Sequence, residues 1–145
     1  MTALLADRAG FGTQEIASAL AQENSVVCAV SQTFYKGALV MGNASGLTVP
    51  GATATGQVCQ GVATEALVTG VAGGERLRTR SGIHKFENDT GGTPVVQADV
   101  GSDCWILDDQ TVTGDNTGAS LAGKVYSIEP DGQIAVAISF PWSNA

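Results

Sequence analysis

Lys124-Val-Tyr-Ser-Ile-Glu-Pro-Asp-Gly-Gln-Ile-Ala-Val-Ala-Ile-Ser-Phe140 decides how this chain folds. Ile134, Val136, Ile138 and Phe140 recur at period two, the spacing that brings side chains to one face of a strand. Pro130-Asp-Gly132 stands between this run and the apolar run before it, with proline preset for a turn start and glycine free to adopt positive φ. The stretch therefore predicts a β-hairpin with one buried face. Ala135, Ala137 and Ser139 on the other face are small and uncharged, which predicts a second covered surface.

Upstream the same grammar repeats. Ser25-Val-Val-Cys-Ala-Val30, Ala38-Leu-Val-Met41, Gln57-Val-Cys-Gln-Gly-Val-Ala63 and Ala66-Leu-Val-Thr69 read as short strands, with turns at Asn43-Ala-Ser-Gly46 and Pro50-Gly51. Gly73-Gly74 is expected to close a hairpin from the strand at 66–69 into Glu75-Arg-Leu-Arg-Thr-Arg80, and Gly82 to mark a bulge before Ile83-His-Lys-Phe86. Residues 95–100 read as turn-like. In Cys104-Trp-Ile-Leu107, alternation sets Cys104 and Ile106 on one face against Trp105 and Leu107 on the other. Many short strands predict an all-β, mainly antiparallel fold, a small barrel or sandwich.

Residues 1–24 lack this pattern and are read as an N-terminal arm ahead of a β-domain at 25–145. Within the arm, Ile16 and Leu20 stand at i, i+4, so a short helix packed on another surface and an extended strand are both open. Phe11, Ile16 and Leu20 are its candidate contact residues. The start Met1-Thr-Ala-Leu-Leu-Ala-Asp-Arg8 has neither a basic leader nor a long apolar run, so synthesis without export is expected.

Composition bounds the function. The 145 residues are 43% hydrophobic and only 14% charged, with a net charge of -7, which opposes binding to nucleic-acid phosphates. No run approaches the ~20 apolar residues of a membrane helix. Cys28, Cys59 and Cys104 are widely spaced in apolar surroundings, as buried reduced thiols would be. His84 is the only histidine, so neither a multi-histidine zinc site nor a convincing nucleophile–base pair can be built, and no enzyme and no cofactor is expected. Asp99, Asp103, Asp108, Asp109 and Asp115 do not match a calcium-loop spacing and read as turn residues. The Gly-rich stretch Val71-Ala-Gly-Gly-Glu75 lacks the lysine and the following helix of a phosphate loop. Trp105 is expected in the core rather than as a sugar-stacking platform; Trp142 is open to either role. Arg76, Arg78 and Arg80 alternate along one strand and so share a face, a candidate contact surface for an acidic protein unless it is simply solvated.

Six segments together resemble the capsid decoration, or cement, proteins of tailed bacteriophages, including Mu-like ones. They are Phe34-Tyr-Lys-Gly-Ala-Leu-Val40, Ala44-Ser-Gly-Leu-Thr-Val-Pro-Gly-Ala-Thr-Ala-Thr-Gly56, Gly61-Val-Ala-Thr-Glu-Ala66, Ser81-Gly-Ile-His-Lys-Phe-Glu-Asn88, Ala98-Asp-Val-Gly-Ser-Asp-Cys-Trp-Ile-Leu-Asp-Asp-Gln-Thr-Val112 and Gly118-Ala-Ser-Leu-Ala-Gly-Lys-Val125. They run in one order through residues 33–140 and leave the arm and the last five residues uncovered. The resemblance implies a minor capsid protein made in the host cytoplasm. It would bind the outer surface of the virion head, where it bridges major capsid protein subunits and assembles as a homotrimer or homodimer. The alternative from another class is a head fibre or carbohydrate-binding module that recognises the host.

Overall fold

A computed structural model of the chain describes residues 22–139. The strands are β1 (Glu23–Val27), β2 (Thr33–Phe34), β3 (Leu39–Gly42), β4 (Thr48–Pro50), β5 (Val58–Ala63), β6 (Leu67–Val68), β7 (Arg76–Arg80), β8 (Gly82–Asn88), β9 (Asp103–Ile106), β10 (Thr111–Thr113), β11 (Leu121–Ile128) and β12 (Ile134–Ile138). Among the described residues one 3-10 turn, Gln97–Asp99, lies within the segment read as turn-like. The fold is all-β.

The hairpin around Pro130-Asp-Gly132 is β11–β12, paired from Lys124↔Ala137 to Ile128↔Ile134. Its turn is held by the Gly132 N–H on the Glu129 carbonyl (2.9 Å) and by the Gln133 N–H on Asp131 Oδ1 (3.0 Å), with Gly132 at φ 88°. Ile134 and Val136 are fully buried and Ile138 nearly so. An irregularity in the register between Val125 and Ser127 leaves Tyr126 exposed outside the hairpin.

Five strands in the order β10-β8-β12-β11-β9 close into a barrel, because β9 also pairs with β10. All neighbours are antiparallel except β10 and β8, joined in parallel by Thr111↔Glu87 and Val112↔Asn88. So few strands enclose only side chains, and Phe86, Ile106, Val112, Val125, Ile134 and Val136 fill the interior. The other five-stranded sheet, β1-β7-β5-β3-β4, is wholly antiparallel, and its ends approach where Cys28 bridges Thr48. Val26, Cys28, Phe34, Val40, Ala63 and Leu77 form a separate core there.

Strands β3 and β5 belong to both cores: Val40 and Ala63 face the second, while Leu39, Met41, Cys59 and Val62 pack with the barrel residues. A strand covered on both faces reads as an unbroken apolar run, as Leu39-Val-Met41 does.

Four expectations need correction. β6 pairs with β2, not β7, because the Thr69 hydroxyl accepts the Gln32 N–H and donates to the Ala29 carbonyl, drawing the chain away before residues 70–75. The partners of β7 are β1 and β5. Pro50 ends edge strand β4 opposite Val40, where a missing N–H is tolerated, and the Gly51 N–H extends the ladder to the Leu39 carbonyl (2.8 Å). Gly82, at φ 114°, begins β8 and turns the chain from one sheet into the other. Glu23 and Asn24, placed in the arm, are the first residues of β1; the rest of the arm, with Phe11, Ile16 and Leu20, lies outside the described residues, as do Phe140 and Trp142.

Candidate protein-contact surface

The sequence Arg-Leu-Arg-Thr-Arg of β7 sorts cleanly on the sheet: Leu77 and Thr79 are fully buried, and Arg76, Arg78 and Arg80 are exposed. Residues two apart on a strand stand ~6.7 Å apart, so the three arginines span roughly 13 Å. Across the β1 register they face Val27, Ser25 and Glu23 respectively. On the other side, β5 meets β7 through Val62↔Arg80 and Ala63↔Thr79. The Thr64 N–H and hydroxyl both donate to the Arg78 carbonyl, at 3.0 and 3.1 Å, which anchors the strand next to its central arginine.

The arginines are held by backbone and left open at their charged ends. Ion pairs among the described residues join Lys85 to Asp131 (3.3 Å) and Lys124 to Asp103 (2.8 Å), and neither involves a guanidinium of the stripe. Lys85 is close in sequence, yet β8 carries it into the barrel. Arg76 Nη1 reaches the Ser25 carbonyl at 3.5 Å, so its side chain leans over β1. In a chain with 14 acidic and 7 basic residues, the guanidinium groups of the three arginines form no ion pair among the described residues, although Glu23 faces Arg80 across the register and the Glu65 carboxylate accepts the Arg78 backbone N–H at 3.4 Å.

The other singled-out residues have structural employment. His84 is half-buried with Nε2 3.0 Å from the Ser81 carbonyl, a contact that requires the proton on that nitrogen. Asp99, Asp108 and Asp115 accept backbone N–H groups of Val96, Gln110 and Thr117, each at 2.9 Å, in the turn role expected of them. Asp103 is the partner of Lys124. Asp109 is half-buried, and desolvation, with the neighbouring charge of Asp108, holds its carboxyl above the ordinary range. Among the described residues no three His, Cys, Asp or Glu side chains converge. The three thiols are free and buried, and burial pushes Cys59 and Cys104 up to about 12.

Trp105 is a correction. Alternation along β9 sends Cys104 and Ile106 into the barrel and leaves Trp105 half-buried on its outside, in a cleft of about 300 Å3 with Gln57, Asp103 and Ser120. Gln57 Oε1 is buried there without a hydrogen-bond partner among the described residues. A second cleft of about 300 Å3, lined by Cys59, Ala122, Ala137 and Ile138, adjoins the small outer face of β12. There Ala135 is buried as the second covered surface required, while Ala137 is half-buried and Ser139 exposed.

Sequence reasoning missed the exposed apolar residues around the β2–β6 ribbon, Tyr35, Val68 and Val71, the last 87% exposed. Their signal was available in the short run Val68-Thr-Gly-Val71, too brief and too glycine-rich to be a core strand. Comparison with family models, curated proteins and solved structures finds no match to this chain.

Proposed function

We propose that this protein is a capsid decoration protein. It binds the outer surface of a phage head and stabilises the shell by bridging major capsid protein subunits. The ordered resemblance of residues 33–140 to that family supports the reading. The observation that carries it is the exposed Arg76, Arg78 and Arg80 stripe on an acidic chain, whose guanidinium groups form no ion pair among the described residues, which suits a contact with an acidic protein surface. Such a protein acts by its body rather than by chemistry. Each copy contacts two subunits, so separating them requires breaking both contacts, and several copies in a homo-oligomer raise the effective affinity without any strong single contact.

The test is to mix the purified protein with heads that lack it. Co-sedimentation and greater resistance of the heads to heat are expected. Replacing all three arginines with serine weakens attachment and flattens its salt dependence, since charge pairing at a surface is what salt screens. Failure of the unaltered protein to sediment with heads refutes the proposal.

Trp105, half-exposed beside Gln57 and Asp103, favours a second reading as a glycan-binding head module. Glycan-array binding that Trp105→Ala abolishes would support it.

A further inference from the structure

β1 is the edge of its sheet, and the hydrogen-bond phase of the β1–β7 ladder shows which of its backbone groups are spare. The Cys28 N–H donates to the Glu75 carbonyl (2.8 Å) and the Ser81 N–H to the Gln22 carbonyl (2.9 Å). In an antiparallel pair, hydrogen-bonded and non-hydrogen-bonded positions alternate. Counting inward from both ends gives Val26 with Leu77 and Asn24 with Thr79 as hydrogen-bonded pairs. The N–H and C=O groups of Glu23, Ser25 and Val27 therefore point away from β7 towards the open edge. The Val27 carbonyl is taken by β4, because the parallel Cys28–Thr48 bridge, with the Ala29 N–H on the Thr48 carbonyl (2.9 Å), sets the Thr48 N–H on it; among the described residues no backbone group meets Glu23 or Ser25, and the Ser25 carbonyl has only the long contact from Arg76 Nη1.

The same three residues share their face with the arginines, because residues opposite each other in a ladder project to one side. Ser25 and Val27 are short, so the guanidinium groups can pass over β1, as that of Arg76 already does. A strand laid along the edge would place alternate side chains within reach of the stripe.

We propose that β1 accepts an extended segment of another chain as a sixth strand. The segment is held by the spare groups of Glu23 and Ser25, and the arginines select acidic side chains at its alternate positions. The donor being a capsid-shell subunit rests on the function proposed above; strand addition does not.

The probe is a fluorescein-labelled peptide of four Glu-Val repeats, with four Lys-Val repeats as the control, titrated by anisotropy against the full chain. Binding of the Glu peptide in preference to the Lys peptide is expected. Ser25→Pro removes an outward N–H from an edge strand, where proline is tolerated, and lowers affinity about tenfold with little change in Tm, the loss expected from one hydrogen bond. Methylating alternate amides of the Glu peptide has the same effect on the unaltered protein and decides the matter if Ser25→Pro disturbs folding. Replacing Arg76, Arg78 and Arg80 with serine erases the preference for glutamate. Equal affinity for both peptides, or affinity unaffected by amide methylation, overturns the inference. A protein that takes the peptide yet does not sediment with heads keeps strand addition and removes the shell as its partner.

Discussion

Gly61→Ala is the substitution that most directly tests how β5 supports the arginine strand. Gly61 adopts φ 95°, and a Cβ there would press on the Arg80 carbonyl oxygen and stand 2.8 Å from its carbon and 3.2 Å from the Ser81 nitrogen. The left-handed conformation costs a residue with a side chain roughly 1–2 kcal/mol. Relieving the overlap means moving β7 away from β5, with one or two ladder bonds lost at about 1 kcal/mol each. A stiffer unfolded chain offsets about 0.4–1 kcal/mol of this. The net destabilisation is about 2–3 kcal/mol, or a fall in Tm of roughly 10 °C for a domain of this size. Gly46→Ala is the matched control: φ is 78°, but nothing lies within 4 Å of the added methyl, so only conformational strain remains, at about 1 kcal/mol. Thermal melts followed by circular dichroism measure both. Equal falls for the two variants would refute the claim that close approach to Arg80, rather than backbone conformation alone, requires glycine at 61.

Two further outcomes are expected. Asp109→Asn should raise Tm slightly at pH 7, within about 0.5 kcal/mol as for other surface changes. The folded state holds this carboxyl above its ordinary range, so the folded chain pays a penalty as pH rises through the ordinary value to the folded one, and the variant's advantage should vanish in acid; an advantage that persists in acid would exclude ionisation as its source. The native protein should react negligibly with a chromogenic disulfide at pH 8 and release three equivalents after denaturation, because Cys28, Cys59 and Cys104 are buried and burial raises each thiol; rapid stoichiometric labelling of the native chain would contradict that.

What could be read from the residues was local. The β11–β12 hairpin was legible because Ile134, Val136 and Ile138 keep strict alternation beside a Pro-Asp-Gly turn. The arginine stripe was legible for the same reason, since Leu77 and Thr79 separate the three charges at period two. Barrel closure was not: it depends on the three residues of β10 meeting β8 in parallel and β9 antiparallel, and nothing in Thr111-Val-Thr113 encodes two distant partners. Nor was the division into two cores, because Leu39, Val40 and Met41 are all apolar and hide which face each serves. β6 was assigned to the wrong neighbour because its partner β2 lies more than thirty positions upstream, and the decisive bonds come from the Thr69 side chain. Which backbone groups of β1 are spare followed only from strand order and ladder phase.

The double membership of β3 and β5 has a mechanical meaning. A linker between two modules lets each melt or stretch independently, but here the same two strands form a wall of each. Truncating Val40 loosens one interior and truncating Leu39 the other, and either change weakens the common wall. The body should therefore denature in a single step and behave as one stiff strut, with tension entering at β1 passing sideways through β7 and β5 into the barrel along hydrogen-bonded ladders.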